Sequence, residues 1–122
     1  MAEARVIVAG GRRFNDYPLL ERTLDRLIYR KCRRNEVEIV SGTAPGADTL
    51  GERWAHKRGY RVKQFPADWK EHGRAAGPLR NEQMGAYATH LIAFWDGHSS
   101  GTRHMIETAK IFNLKVKVLR YD

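Results

Sequence analysis

Apolar residues in this chain fall in five short runs or alternations, and between these runs they recur every three or four positions. Those are the periods of strands and of helices. Residues 5–9 form an apolar run ending on Gly10 and Gly11, which predicts a buried strand entering a turn. Asp16 before Tyr17 and Pro18 predicts an N-cap with proline near the first helical position. Leu20, Leu24, Leu27 and Ile28 carry that helix to about Arg33. Residues 37–40 are a second strand, closed by Ser41 and Gly42. A helix from about Asp48 turns Leu50, Trp54 and Ala55 inward and ends at Gly59.

Residues 61–65 predict a third strand, in which Tyr60 and Val62 alternate with basic positions. Residues 66–77 show neither period and read as an irregular stretch of 12 residues, long enough to suggest a functional loop or lid. Pro78 opens a helix carrying Leu79, Met84, Tyr87 and Ala88. Residues 91–95 are the fourth strand, ending at Asp96 and Gly97. Thr102 is expected to cap a helix in which Met105, Ala109 and Phe112 share a face, and residues 115–120 are the last strand.

Strands alternating with helices imply parallel pairing through right-handed crossovers. The first and fourth strands are near-continuous apolar runs, as strands buried on both faces are. The third and fifth alternate with Lys and Arg, which suits edges. The expectation is one Rossmann-like α/β domain over residues 1–122, with three layers around a five-stranded, mainly parallel sheet in the order 3-2-1-4-5.

Such a sheet binds ligands beyond the carboxyl ends of its strands, where the winding reverses. Three loops with small residues converge there: Gly10, Gly11 and Arg12 after strand one; Ser41, Gly42, Gly46, Ala47 and Asp48 after strand two; Gly97, Gly101 and Thr102 after strand four. Glycines allow close approach of backbone to phosphate, and a helix N-terminus offers free N–H groups and a positive dipole end. Arg12 and Arg80 are the candidate phosphate clamps, Arg80 because a cation in the first turn opposes the helix dipole. Asp16 and Asp48 precede helices and read either as N-caps or as ligand contacts. Of the two tryptophans that could stack on a base, Trp95 at a strand end is preferred to Trp69. No Walker-type or G-x-G-x-x-G sequence is present, and the five histidines lack metal-ligand spacing, so neither a cofactor nor a metal is expected.

Charge points the same way. The chain carries 22 Lys+Arg against 14 Asp+Glu, a net +8, which favours anionic partners. The basic cluster of Arg26, Arg30, Lys31, Arg33 and Arg34 reads as a solvated face or as a nucleic-acid patch. A lone cysteine, Cys32, and the lack of a long apolar run or signal-peptide pattern suggest a cytoplasmic protein with no membrane partner.

In this order the motifs resemble the YspA-type, cpYpsA-related branch of the SLOG superfamily, found in bacteria and phages. The resemblance rests on Gly10–Gly11–Arg12 with Asp16, Ser41–Gly42 with Gly46–Ala47–Asp48, Trp54–Ala55, and Pro66–Ala67–Asp68–Trp69. It continues with Gly77, Arg80–Asn81 and Met84, then Gly101–Thr102 with His104–Met105. It implies a Rossmann-like fold and a nucleotide-type ligand at these loops, including Asn81. It also implies distant kinship to LOG-type phosphoribohydrolases and to DprA, which binds single-stranded DNA. The LOG enzymes carry P-G-G-x-G-T-x-x-E, whose glutamate is catalytic together with an upstream arginine. Gly101–Thr102 matches its G-T and Arg80 matches the arginine, but Met105 stands where the glutamate belongs. The expected function is therefore binding of a nucleotide or nucleotide-derived phosphate, in a sensor or sequestering role. The alternatives are hydrolysis of an N-glycosidic or phosphate bond, with Arg80 and Asp48 as catalytic candidates, and nucleic-acid binding through the basic surface. Related folds pair through helices, so a homodimer is compatible with the sequence, though no apolar stripe demands one.

Overall fold

The computed structural model of the chain describes residues 3–121; residues 1, 2 and 122 of the expected domain lie outside the described residues. Strands β1 (Ala4–Gly10), β2 (Val37–Ser41), β3 (Arg61–Gln64), β4 (His90–Trp95) and β5 (Lys115–Arg120) form one sheet. Its order is β3-β2-β1-β4-β5 and every neighbouring pair is parallel. The apolar runs of β1 and β4 do lie at the centre, register-paired from Val6 with His90 to Gly10 with Phe94. The Lys- and Arg-bearing strands β3 and β5 are the edges.

Alternation along β1 divides the core in two. Val6 and Val8 face a cluster with Leu20, Leu24, Ile28, Trp54, Ala55 and Phe94. Ile7 and Ala9 face the other, with Met84, Leu91, Met105, Ile106 and Ala109. The first cluster is closed by α1 (Tyr17–Leu24) and α2 (Ala47–Arg58), the second by α4 (Ala76–Tyr87) and α5 (Ser100–Ile111). Trp54 is the largest side chain with no exposed surface, stacked on Tyr60 at 5.0 Å.

Strand ends shift by a residue, and four features of the helices differ from the sequence expectation, each for a local reason. Asp16 caps α1 by accepting the Leu19 N–H at 3.1 Å, as expected, but the helix passes through a π-helical turn at Asp25–Tyr29 and stops there. The basic run beyond Tyr29 has no apolar period to bury, so nothing extends the helix to Arg33. The stretch 66–77 is largely helical: Asp68 accepts the Glu71 N–H at 3.0 Å and starts α3 (Trp69–His72), and a 3₁₀ turn, Gly73–Ala75, leads into α4. Helix α4 begins two residues before Pro78, which the first turn tolerates because its N–H groups have no intrahelical partner. Ser99, not Thr102, is the N-cap residue of α5, and Thr102 lies buried inside the first turn.

Candidate functional site

Parallel strands deliver all their following loops to one edge of the sheet, and a cleft of about 860 Å³ opens there. Its walls are Gly10 to Arg13 after β1, Ala44 and Asp48 at the β2–α2 connection, Trp69 and Arg74 on and after α3, and the first turns of α4 and α5. That volume lies within the range of ordinary small-ligand pockets.

Two glycines set the floor. Gly46 has φ +84°, a left-handed conformation, and a Cβ there would run into the carbonyl oxygens of Gly11 and Arg12. This lets the β1 and β2 loops meet backbone to backbone, with the Ala47 N–H donating to the Gly11 carbonyl at 3.3 Å. Gly42 lies beneath the two principal charged groups. A Cβ at Gly42 would stand 2.8 Å from Arg80 Nη1 and 2.9 Å from Asp48 Oδ2.

Arg80, half-buried in the second turn of α4, donates through Nη1 to the Gly42 carbonyl and through Nε to Asn81 Oδ1 at 3.0 Å. Burial lowers its pKa; Asp48 opposes that shift and Arg12 reinforces it, and the guanidinium remains charged. The expectation that it occupies the first turn, opposed by the helix dipole, is corrected by the early start of α4, so the dipole gives no reason to single it out. The packing against Gly42 does.

Asp48 is 5% exposed. Its Oδ2 accepts the Ala44 N–H at 3.2 Å rather than capping its own helix, whose N-cap residue is Gly46. Burial, reinforced by Glu52, raises its pKa to about 6, against the Ala44 and Gly42 N–H groups and Arg80, which favour the carboxylate. Among the described residues neither Asp48 nor Arg80 forms a salt bridge.

Asn81 links the cation to the opposite wall. Because its Oδ1 accepts from Arg80, its amide NH₂ faces His104 Nδ1 at 3.1 Å and the Gly101 carbonyl at 3.5 Å. His104 Nδ1 is thereby an acceptor, which leaves the ring proton on Nε2. At the start of α5 the His98 and Ser99 N–H groups both donate to Asp96 Oδ1 at 2.8 Å, which holds the Asp96 carboxyl below its ordinary value. Ser99 Oγ donates to Thr102 Oγ1 at 2.9 Å. Ser100, Gly101 and Thr102 then present a helix N-terminus to the cleft.

Residues 4–72 match the model of the "YspA, cpYpsA-related SLOG family". The chain belongs to that family. A relative, the Gene 61 protein of Mycobacterium phage D29, is 36% identical over 112 residues, covering 87% of this chain and 88% of the phage protein. Two solved structures share the fold. DNA processing protein A (DprA) from Streptococcus pneumoniae superposes with a TM-score of 0.76 at 18% identity, over 99% of this chain and 51% of that one. DNA processing protein A from Helicobacter pylori, described for its single-stranded DNA binding mode, gives 0.67 at 17%, over 99% and 67%. This chain thus spans about half the length of the pneumococcal protein.

Of the residues singled out in sequence, this SLOG cleft is lined by Gly10, Gly11, Arg12, Asp48, Arg80, Asn81, Gly101 and Thr102. Gly42, Gly46 and Ala47 act from beneath, as loop contacts. Ser41 is buried, donating to Glu52 at 2.5 Å and accepting the Thr43 N–H at 3.1 Å, so its hydroxyl is committed to the loop. Three more stand outside the lining and away from its floor. Asp16 is occupied as the cap of α1, and Gly97 makes a positive-φ turn against Arg120. The Trp95 indole N–H donates to the Ser99 carbonyl at 3.1 Å, while the guanidinium groups of Arg103 and Arg120 lie 5.6 and 5.4 Å from its ring. Trp69, ranked lower in the sequence, lines the cleft instead and is 50% exposed. Arg74 and Tyr121 were not anticipated, and His104, though part of the resemblance, was not among the expected ligand contacts. The Arg26–Arg34 cluster follows the end of α1 and so lies at the opposite edge of the sheet from the cleft.

Proposed function

We propose that the chain binds a nucleotide or nucleotide-derived phosphate in this cleft, in a sensing or sequestering role. The observation that carries the reading is Arg80: a half-buried guanidinium fixed by the Gly42 carbonyl and Asn81, with no salt bridge to any carboxylate among the described residues. A half-buried cation that the nearby Asp48 offsets only in part is costly, and an anionic ligand at the cleft supplies the missing partner. The adjoining N-terminus of α5 favours the same charge. Met105, 2% exposed, brings a thioether to the cleft wall where the related hydrolases' motif has its carboxylate, which favours binding over cleavage.

A thermal-shift screen against nucleoside mono- and diphosphates, ADP-ribose and cyclic dinucleotides tests the reading. A ligand at a hundred times its dissociation constant stabilises the folded state by about 2.7 kcal/mol. No shift with any of them at millimolar concentration defeats the proposal.

The second reading is single-stranded nucleic acid at the same cleft, favoured by the exposed residues Arg12, Arg13, Arg74 and Trp69 along its rim and by the Helicobacter relative. Phosphate-backbone binding of that kind weakens steeply with salt. Oligonucleotide binding that ignores salt, or that is absent at low salt, excludes it.

A further inference from the structure

The cleft contains one aromatic surface that the fold does not use. Trp54 is fully buried with its indole N–H donating to Asp25 at 2.9 Å, and Trp95 is held by the Ser99 carbonyl and two guanidinium groups. Trp69 alone of the three tryptophans is exposed, at 50%. It is held nonetheless: Asp68 caps α3, so Trp69 is the first residue of a fixed turn. A Cβ at Gly77 would lie 3.3 Å from the far edge of the indole, so the glycine leaves room for the ring over the start of α4. Arg12, itself exposed, rests over the ring with its guanidinium carbon 5.8 Å from the centroid.

We propose that Trp69 is a base-stacking platform, so that the ligand of the cleft carries a nucleobase or an equivalent flat aromatic group and is not a plain sugar phosphate. This rests on the phosphate-binding reading above and adds the chemistry of the other end of the ligand. An exposed indole in a water-accessible cleft gains by covering its face, and a flat π-system does that while keeping its own polar edge in solvent. Arg12 is already positioned against one part of the ring. A stacking base takes that place, and the displaced guanidinium stays beside the cleft with Arg80, where the phosphate neutralises it. The base then lies at the α3 rim, the sugar crosses the Asp48 carboxyl, and the phosphate reaches Arg80 and the first turn of α5.

The test compares the four nucleoside 5′-monophosphates and ADP-ribose with ribose 5-phosphate and inorganic phosphate by isothermal titration, using the full chain. Wild type is expected to bind at least one base-bearing ligand about tenfold or more tightly than ribose 5-phosphate, the range that one stacked base supplies. Trp69→Ala should reduce that ratio to within about twofold, and Trp69→Phe should retain most of it. Base-bearing ligands should also quench a component of tryptophan fluorescence that the Trp69→Phe protein lacks. If ribose 5-phosphate binds as tightly as every base-bearing ligand, or if Trp69→Ala keeps the wild-type ratio while remaining folded by circular dichroism, the platform is refuted and phosphate binding stands. If none of the probes binds, both readings fall together.

Discussion

Arg80 and Asp48 flank Gly42 without pairing with each other, one guanidinium and one buried carboxyl separated by a position that has no side chain. At this separation each offsets the other's burial only in part. Left apart, both face the cleft with interactions to spare, and this arrangement makes several measurable demands.

Gly42→Ala places a methyl group 2.8 Å from Arg80 Nη1 and 2.9 Å from Asp48 Oδ2. Both are side-chain ends and can yield, so stability should change by no more than about 1 kcal/mol. Moving them removes the geometry an anion meets, and nucleotide affinity should fall about tenfold or more. Paired thermal denaturation and titration would show whether the two effects separate in this way.

Asp48 gives a pH dependence whose sign is fixed. Its folded pKa of about 6 lies above the ordinary 3.8, so the folded state holds its proton more tightly than the unfolded chain does. Its contribution is therefore neutral below pH 3.8, turns destabilising as pH rises between 3.8 and 6, and reaches about 3 kcal/mol above that. Asp48→Asn should be more stable than wild type at pH 7.5 by up to that amount, and the difference should vanish near pH 4. Urea denaturation at the two pH values measures it. A variant less stable at pH 7.5 would contradict the assignment.

Arg80→Lys keeps the charge but not the planar fork that reaches the Gly42 carbonyl and Asn81 together. Nucleotide affinity should drop about tenfold or more, with thermal stability equal to or below that of wild type, because the charge stays half-buried while the hydrogen bonds to the Gly42 carbonyl and Asn81 are lost. A variant that binds as well as wild type would show that charge alone suffices.

Incubation with nucleoside monophosphates, followed by chromatography, should release no free base above the rate without protein. The wall position that would need a carboxylate is Met105, and Glu107 is exposed to solvent instead. Base release that disappears in Asp48→Asn would make the chain a hydrolase with Asp48 in the carboxylate's place.

The strand order was legible because it depends on averages: β1 and β4 are apolar on both faces, while Lys and Arg interrupt β3 and β5. Loops after β1, β2 and β4 follow from topology once the sheet is parallel, and with them Gly10, Gly11, Arg12, Asp48 and Thr102. What escaped depends on a single side chain's direction. Asp48 follows Gly46 and Ala47 at a helix start and has the pattern of a cap, yet its carboxyl is turned to Ala44 and buried. Trp95 and Trp69 differ by where one indole N–H finds a partner, which no period encodes. A signal for α3 was present, since Asp68 with Glu71 three residues later is a helix-start signature. Four residues are too few for a hydrophobic period to confirm it.

Helix α3 touches little beyond the turn that follows it and the start of α4, whereas Gly42, Gly46 and Arg80 are tied into the sheet and its loops. The two ends of the cleft thus differ in how freely they can evolve. Substitutions in the segment that carries Trp69 can change what is recognised there without disturbing either half of the core, while substitutions at the anchoring end act on the anion site itself. One scaffold of this kind can diversify its ligands through a single short stretch of chain.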